Sequence, residues 1–399
     1  IFFFCNTGFT MGSIGAASTE FCIDVFRELR VQHVNENIFY SPLSIISALS
    51  MVYLGARENT RAQIDEVFHF DKITGFGDTV DPQVQKKFHL FLYVTFSCEQ
   101  NLADRTVSYN YSLNLASRLY AEESYPILPE YIQCVKELYN EGLETVSFQT
   151  GADQARELIN SWVENQTNGV IKNILQPSSV DPQTEMVLVN AIYFKGLWQK
   201  AFKDEETQAV PFRITEQENR PVQMMYQFGS FKVAVVASEK IKILELPYAS
   251  GQLSMWVLLP DEVSGLEQLE NAITFEKLTE WTSSDLTEER KIKVFLPRVK
   301  IEEKYNLTAV LMALGVTDLF SSSANFSGIS AAENLKMSEA VHEAFVEIYE
   351  AGSEVVGSSG AGIEAPSDSE EFRADHPFLF LIKHNPTNSI LFFGRCFSP

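Results

Sequence analysis

Reactive side chains at workable spacings come first. The six histidines are His33, His69, His89, His342, His376 and His384. None forms H-E-x-x-H, the pattern that puts two imidazoles on one helix face for zinc. No G-x-S-x-G turn presents a serine nucleophile. Gly75-Phe-Gly77 lacks the third glycine of a dinucleotide loop, and no Walker-type phosphate loop exists. The five cysteines (Cys5, Cys22, Cys98, Cys134, Cys396) contain no C-x-x-C pair, so neither a zinc knuckle nor a redox motif is indicated. With 53 carboxylates, close pairs arise by chance, and Glu288-Glu289 and Glu302-Glu303 read as solvated surface. The expectation is no catalytic residue, no metal, no cofactor and no enzyme.

Two kinds of covalent modification have sites. N-x-S/T sequons stand at Asn110, Asn165, Asn306 and Asn325. Asn165 closes an amphipathic helix pattern and is expected to be shielded. Ser358, and Ser369 beside Glu370 and Glu371, are candidate phosphoserines. The net charge of −22 opposes nucleic acid, heparin and anionic membrane as partners. A dispersed, soluble monomer is expected.

The elements that would carry these residues follow from periodicity. Residues 20–29, 44–54, 154–163, 266–281 and 307–314 have helical spacing, the second apolar nearly all round and so buried. Residues 186–194 form a continuous apolar run, as a strand covered on both faces should. Further strands are read at 231–236, 241–246, 253–259, 292–296, 340–349, 378–382 and 389–393. No linker or repeat divides the chain, which reads as one mixed domain over 12–399. Met11 resembles an initiator, so residues 1–11 are expected to be a non-structural extension. The apolar stretch 37–56 contains Pro42 and four serines, and it lacks the ~18 consecutive apolar residues of a membrane span.

Residues 352–369 are rich in Gly, Ser and Ala, with few large apolar side chains. A connection this long is usually functional or disordered.

Two C-terminal segments, Asp375-His-Pro-Phe-Leu-Phe380 and Ile390-Leu-Phe-Phe-Gly-Arg395, resemble the carboxy-terminal signature of the serpins. Asn190-Ala-Ile-Tyr-Phe-Lys-Gly-Leu-Trp198 is similar to the family's central strand and following turn, and Asn37-Ile-Phe-Tyr-Ser41-Pro42-Leu-Ser44 to its buried second helix. The resemblance extends over residues 12–399 and is strongest to the egg-white branch. It implies an α+β serpin fold with three β-sheets, about nine helices and an exposed reactive-centre loop over about 350–371. Ser41, Ser44, Asn190 and His342 match the polar cluster beneath the large sheet. Trp198 and Glu350 match the top of the sheet where the loop would enter.

The family's spacing puts the scissile bond at Pro366–Ser367 and the hinge at Glu350, Gly352, Ser353, Val355 and Gly357. Residues entering the core on insertion would be Ser353, Val355, Gly357, Ser359, Ala361, Ile363 and Ala365, none of them charged. Inhibitory members carry alanines from 355 to 358, whereas this chain has Val-Val-Gly-Ser. Overpacking at Val355 costs ~1–3 kcal/mol, and ~1.4 kcal/mol on a barrier is tenfold in rate. Pro366 is a poor residue on either side of a bond to be cut. Ser353, a small hinge hydroxyl, points the other way. The expectation is a non-inhibitory, secreted storage serpin that meets proteases without trapping them. The alternative is a serine-protease inhibitor working by loop insertion.

The resemblance also makes Asn306 the first glycan candidate and Asn325 the second. It implies an internal, uncleaved export signal around 37–56. The similar proteins pair a cysteine near position 84 with the equivalent of Cys134; Val84 stands there in this chain, leaving a Cys98–Cys134 bridge as the nearest substitute.

Overall fold

The computed structural model describes residues 8–70, 111–139, 142–351 and 368–399. The expectations for residues 1–7, for Cys98 and for the loop residues 352–367 lie outside them. Eight α-helices and fourteen strands are present among the described residues.

The five-stranded sheet runs in the order Val299–Asn306, Glu339–Ile348, Met186–Gly196, Tyr111–Glu122, Leu143–Val146. Of its three inner strands, Glu339–Ile348 and Met186–Gly196 are parallel, and their register runs unbroken from Glu339↔Val187 to Glu347↔Lys195. Their flanking neighbours Val299–Asn306 and Tyr111–Glu122 are antiparallel to them. Strict alternation assigns the faces. Met186, Leu188, Ile192 and Phe194 join Ala340, Ala344 and Val346 in the main core. Val187, Val189, Ala191, Tyr193, Val341 and Phe345 pack in a second core under the helix Phe148–Gln166. Both faces are covered, which is why 186–194 reads as an uninterrupted apolar run.

The other strands form one hydrogen-bonded network of nine. The 18-residue strand Asn219–Val236 changes partners along its length. Residues 219–224 pair with Gln208–Arg213 and residues 224–233 with Glu288–Pro297, while 232–236 pair with 241–245. Three sheets were expected; the described strands form two hydrogen-bonded sheets, the larger continuous through this strand.

The C-terminal hairpin, Phe378–His384 and Ser389–Cys396, is buried along its whole length. Gly394 faces Phe380 in the register, and a Cβ there would lie 2.5 Å from the Phe380 ring, so the Phe-Gly-Arg run requires glycine. Arg395 is buried and donates to Glu36 O at 2.9 Å and Glu270 Oε1 at 2.9 Å, tying the hairpin to the turn after the first helix and to the helix Leu266–Ala272.

Several boundaries differ from the sequence reading. The first helix is Gly8–Gln32, so the expected extension 1–11 overlaps its first turn. The helix expected over 266–281 is two, Leu266–Ala272 and Phe275–Trp281. Between them Ile273 is extended, and the Thr274 hydroxyl accepts the Lys277 N–H at 3.2 Å, starting a new helix. The sequence reading gave no bounds for the strand Tyr111–Glu122, whose Leu113, Leu115, Leu119 and Ala121 share the face toward the main core.

Candidate functional site

The site has two parts, both on the seam between the parallel strands. The first lies at mid-strand, where His342 and Asn190 are register partners. Both point into the main core, against the helix Pro42–Gly55. Ser41 caps that helix from an extended conformation, accepting the Ser44 N–H at 3.3 Å, and Pro42 follows at the first helical position. This cap turns two serines toward the seam. Ser41 N–H donates to His342 Nε2 at 3.1 Å, and His342 Nδ1 lies 2.6 Å from Asn190 Oδ1. An amide N–H can only donate, so Nε2 accepts and the imidazole proton sits on Nδ1, donating to Asn190. Ser44 Oγ–H donates to Asn190 Oδ1 at 2.9 Å, and Asn190 Nδ2 donates back to Ser44 O at 3.2 Å. All four residues are fully buried. Burial pushes the His342 pKa down to about 3, so the neutral tautomer persists throughout the physiological range. A neutral, fully satisfied histidine here is a fastener, not an acid or base.

The second part is the top of the seam, where the loop begins. Trp198 N–H donates to Ala351 O at 3.0 Å, Trp198 Nε1–H to Tyr349 O at 2.7 Å, and Phe202 N–H to Glu350 O at 2.9 Å. The Glu350 carboxylate receives Arg298 Nε at 3.0–3.1 Å, Arg298 Nη2 at 2.5 Å and the Thr207 hydroxyl at 2.7 Å. Burial alone would raise the Glu350 pKa, but the hydrogen bonds from Arg298 and Thr207 outweigh it and hold the carboxyl below its usual value. The Trp198 ring stacks on Tyr248 at 4.6 Å and 12°. Gly196 makes room for this contact, since a Cβ there would lie 2.4 Å from the Tyr248 ring.

Of the expected site residues, the structure brings together Ser41, Ser44, Asn190 and His342 in one cluster and Trp198 and Glu350 in another. Gly352, Ser353, Val355, Gly357, Ser358, Pro366 and Ser367 lie outside the described residues. Arg298, Thr207 and Phe202 hold the loop root and escaped sequence reasoning. Arg298 is 52 positions from Glu350 and Thr207 is 143, so no local spacing announces them.

The modification candidates separate clearly. Asn306 is exposed and caps the helix Leu307–Leu314 through Oδ1, which accepts Ala309 N–H at 3.3 Å. Asn325 is half-buried, and its Nδ2 donates to Glu58 at 3.1 Å. Asn165 is exposed at the end of its helix, correcting the expectation that it is shielded. Ser369 is half-buried. Cys22, Cys134 and Cys396 are free thiols among the described residues.

A parallel central pair clasped by a buried polar cluster, with the chain from Tyr349 to Ala351 anchored at its upper end, is serpin architecture. The chain belongs to the serpin (serine protease inhibitor) family, whose model matches residues 16–399. It is similar to the ovalbumin of Dromaius novaehollandiae, at 73% identity over 98% of this chain and 100% of that protein. The crystal structure of uncleaved ovalbumin superposes with a TM-score of 0.88 at 67% identity, covering 97% of this chain and 100% of the other. A loop-inserted structure of a cleaved ovalbumin mutant matches with a TM-score of 0.85 at 64% identity, again covering 97% and 100%.

Proposed function

We propose that this chain is a non-inhibitory serpin, secreted into egg white as a storage protein that supplies amino acids. The carrying observation is the 73% identity to an ovalbumin across essentially both chains. The hinge composition agrees: Val355 and Gly357 stand in the slots where a fast-inserting strand has alanine, and Pro366 occupies the scissile position. The protein is a monomer without catalytic activity and binds neither nucleic acid nor heparin. Its export uses an internal signal around 37–56. The strand Ile38–Tyr40 and nearly all of the helix Pro42–Gly55 are buried in the folded protein, so such a signal acts before folding.

One observation favours inhibition by loop insertion. Ser353 is small, and no residue of the inward-facing set is charged. The chain leaving Ile348 at the upper end of the seam would run antiparallel to both central strands if it folded back between them. That would replace a parallel pairing with two antiparallel ones, the slightly stronger arrangement. Incubation with trypsin, elastase and subtilisin decides between the readings. Cleavage within 352–367 without a complex that survives SDS supports storage; a stable complex establishes inhibition.

A further inference from the structure

Lys383 is the one buried lysine among the described residues. It lies in the strand Phe378–His384, where the pairing with Ser389–Cys396 shifts between Ile382 and Lys383, and such a bulge re-aims the side chains beside it. Nζ donates to Thr282 O at 2.8 Å and to Thr282 Oγ1 at 3.1 Å, at the C-terminal end of the helix Phe275–Trp281. Among the described residues no carboxylate reaches it as an ion pair. The field of Glu245 favours the charge from farther off, but burial outweighs it and pushes the amine down to about 8. Loss of one proton costs no hydrogen bond. A neutral amine keeps two N–H groups, enough for both Thr282 acceptors, and its lone pair is then directed away from Thr282.

Capping a helix end would by itself account for a lysine here, but it requires no space beside the amine. A cavity of about 150 Å³ opens there, between the first helix, the helix Phe275–Trp281 and the C-terminal hairpin. Lys383 is the one charged side chain among the described residues lining it. Thr282 and the apolar Phe275 and Ile390 form part of the wall, and the exposed Thr279 and Asn388 stand at the mouth. A space of this size admits a molecule about as large as benzene. An anion would find a single remaining N–H in a half-apolar wall. A buried amine that is part-time neutral is instead a nucleophile for carbonyl carbon.

We propose that Lys383 is a covalent modification site for small neutral hydroxyaldehydes, which enter this cavity and condense with its amine. The Nζ lone pair forms the bond to the carbonyl carbon, and the carbonyl oxygen leaves as water with the two amine hydrogens, giving an imine. A hydroxyl on the next carbon lets the imine isomerise to a ketoamine. One hydrogen passes from that carbon to the imine carbon and the hydroxyl proton passes to nitrogen, so no oxidant or reductant is needed. The ketoamine again has an N–H for Thr282, and Thr279 and Asn388 offer hydrogen bonds to the remaining hydroxyl. The site is independent of whether the loop traps proteases.

The test adds glyceraldehyde at less than one equivalent at pH 7.5, fixes the adducts with borohydride and reads the occupancy of each lysine by peptide mass spectrometry. At that pH an amine of about 8 is neutral ~200-fold more often than an ordinary lysine near ~10.4, and restricted entry takes back part of the factor. The expected result is Lys383 modified about tenfold above Lys172 and Lys240, which are exposed. Thr279→Trp, at the exposed mouth, should cut labelling of Lys383 about tenfold and leave Lys172 and Lys240 unchanged. Labelling of Lys383 at or below that of the exposed lysines in the unaltered protein overturns the proposal. So does labelling of Lys383 that Thr279→Trp does not slow, since the reaction would not then pass through the cavity.

Discussion

His342 and Asn190 are partners in the strand register and in a side-chain hydrogen bond, Nδ1 to Oδ1 at 2.6 Å, across the longer of the two parallel pairings among the described strands of the five-stranded sheet. Backbone pairing and side-chain pairing therefore coincide at the place where a strand would have to enter. Parting the strands there breaks both and leaves buried polar groups without partners.

Asn190→Ala should destabilise the fold by about 1–3 kcal/mol, the cost of one buried unpaired group. It removes the acceptor of His342 Nδ1–H while that donor stays buried, whereas the Ser44 hydroxyl, which also donates to Asn190, keeps Ser41 O at 3.1 Å. Denaturant unfolding at neutral pH measures this, and a loss under about 0.5 kcal/mol would show that the cluster does not hold the seam.

The pH dependence of stability should bend near 4.5. Burial lowers His342 to about 3 and His384 to about 4, against an ordinary 6.5. Below 6.5 the unfolded chain takes up protons that these folded histidines refuse, so their contribution falls as pH falls. Burial also raises Glu303 and Glu343 to about 7 from 4.5, with nearby glutamates adding to the effect. Those folded carboxyls hold protons that the unfolded chain releases, so their contribution falls as pH rises from 4.5 through 7. The two pairs oppose between 4.5 and 6.5 and give a shallow profile there. Below 4.5, among the described residues, the histidines and the depressed carboxyls Glu350 and Asp375 remain, and stability drops. Glu343→Gln should restore a positive slope between 4.5 and 6.5; an unchanged slope in urea titrations across that window would count against this account.

Arg298→Ala should loosen the loop root more than the rest of the molecule. It strips three contacts from a buried carboxylate and leaves Thr207 alone. A local cost of about 1–3 kcal/mol should raise amide exchange at Trp198 and Phe202, whose N–H groups are bonded to Ala351 O and Glu350 O. Unchanged protection at both amides would remove Arg298 from the assignment.

A glycan should be found on Asn306 and not on Asn325. Linkage through Nδ2 leaves the Asn306 carbonyl free to cap its helix, whereas Asn325 Nδ2 is committed to Glu58. Glycopeptide mass spectrometry reads both sites at once, and Asn306→Asp should abolish the modification while keeping the cap.

The two strands of the seam and the buried helix beneath them were legible in the sequence, because burial on both faces leaves continuous apolar runs with conspicuous polar exceptions. Asn190 interrupts 186–194, and Ser41 and Ser44 open an apolar helix. His342 was singled out by family resemblance rather than by pattern. The clamp on Glu350 was illegible, since Arg298 and Thr207 meet it only through the sheet register. The break at Thr274 was hidden for the opposite reason: a threonine cap inside a run of helical period looks like one more helical residue until its hydroxyl takes the Lys277 N–H. The strand Tyr111–Glu122 alternates weakly because its polar positions include the half-buried Asn114 and the buried Arg118.

In a non-inhibitory serpin the seam between 186–196 and 339–348 should stay closed when the chain is cut within 352–367. Calorimetry of the protein before and after limited elastase or subtilisin cleavage within 352–367 tests it most directly. Little or no change in melting temperature is predicted. A rise of more than about 10 °C, equivalent to several kcal/mol at ~2–4 °C per kcal/mol, would mean that the loop had entered the sheet and would contradict the account.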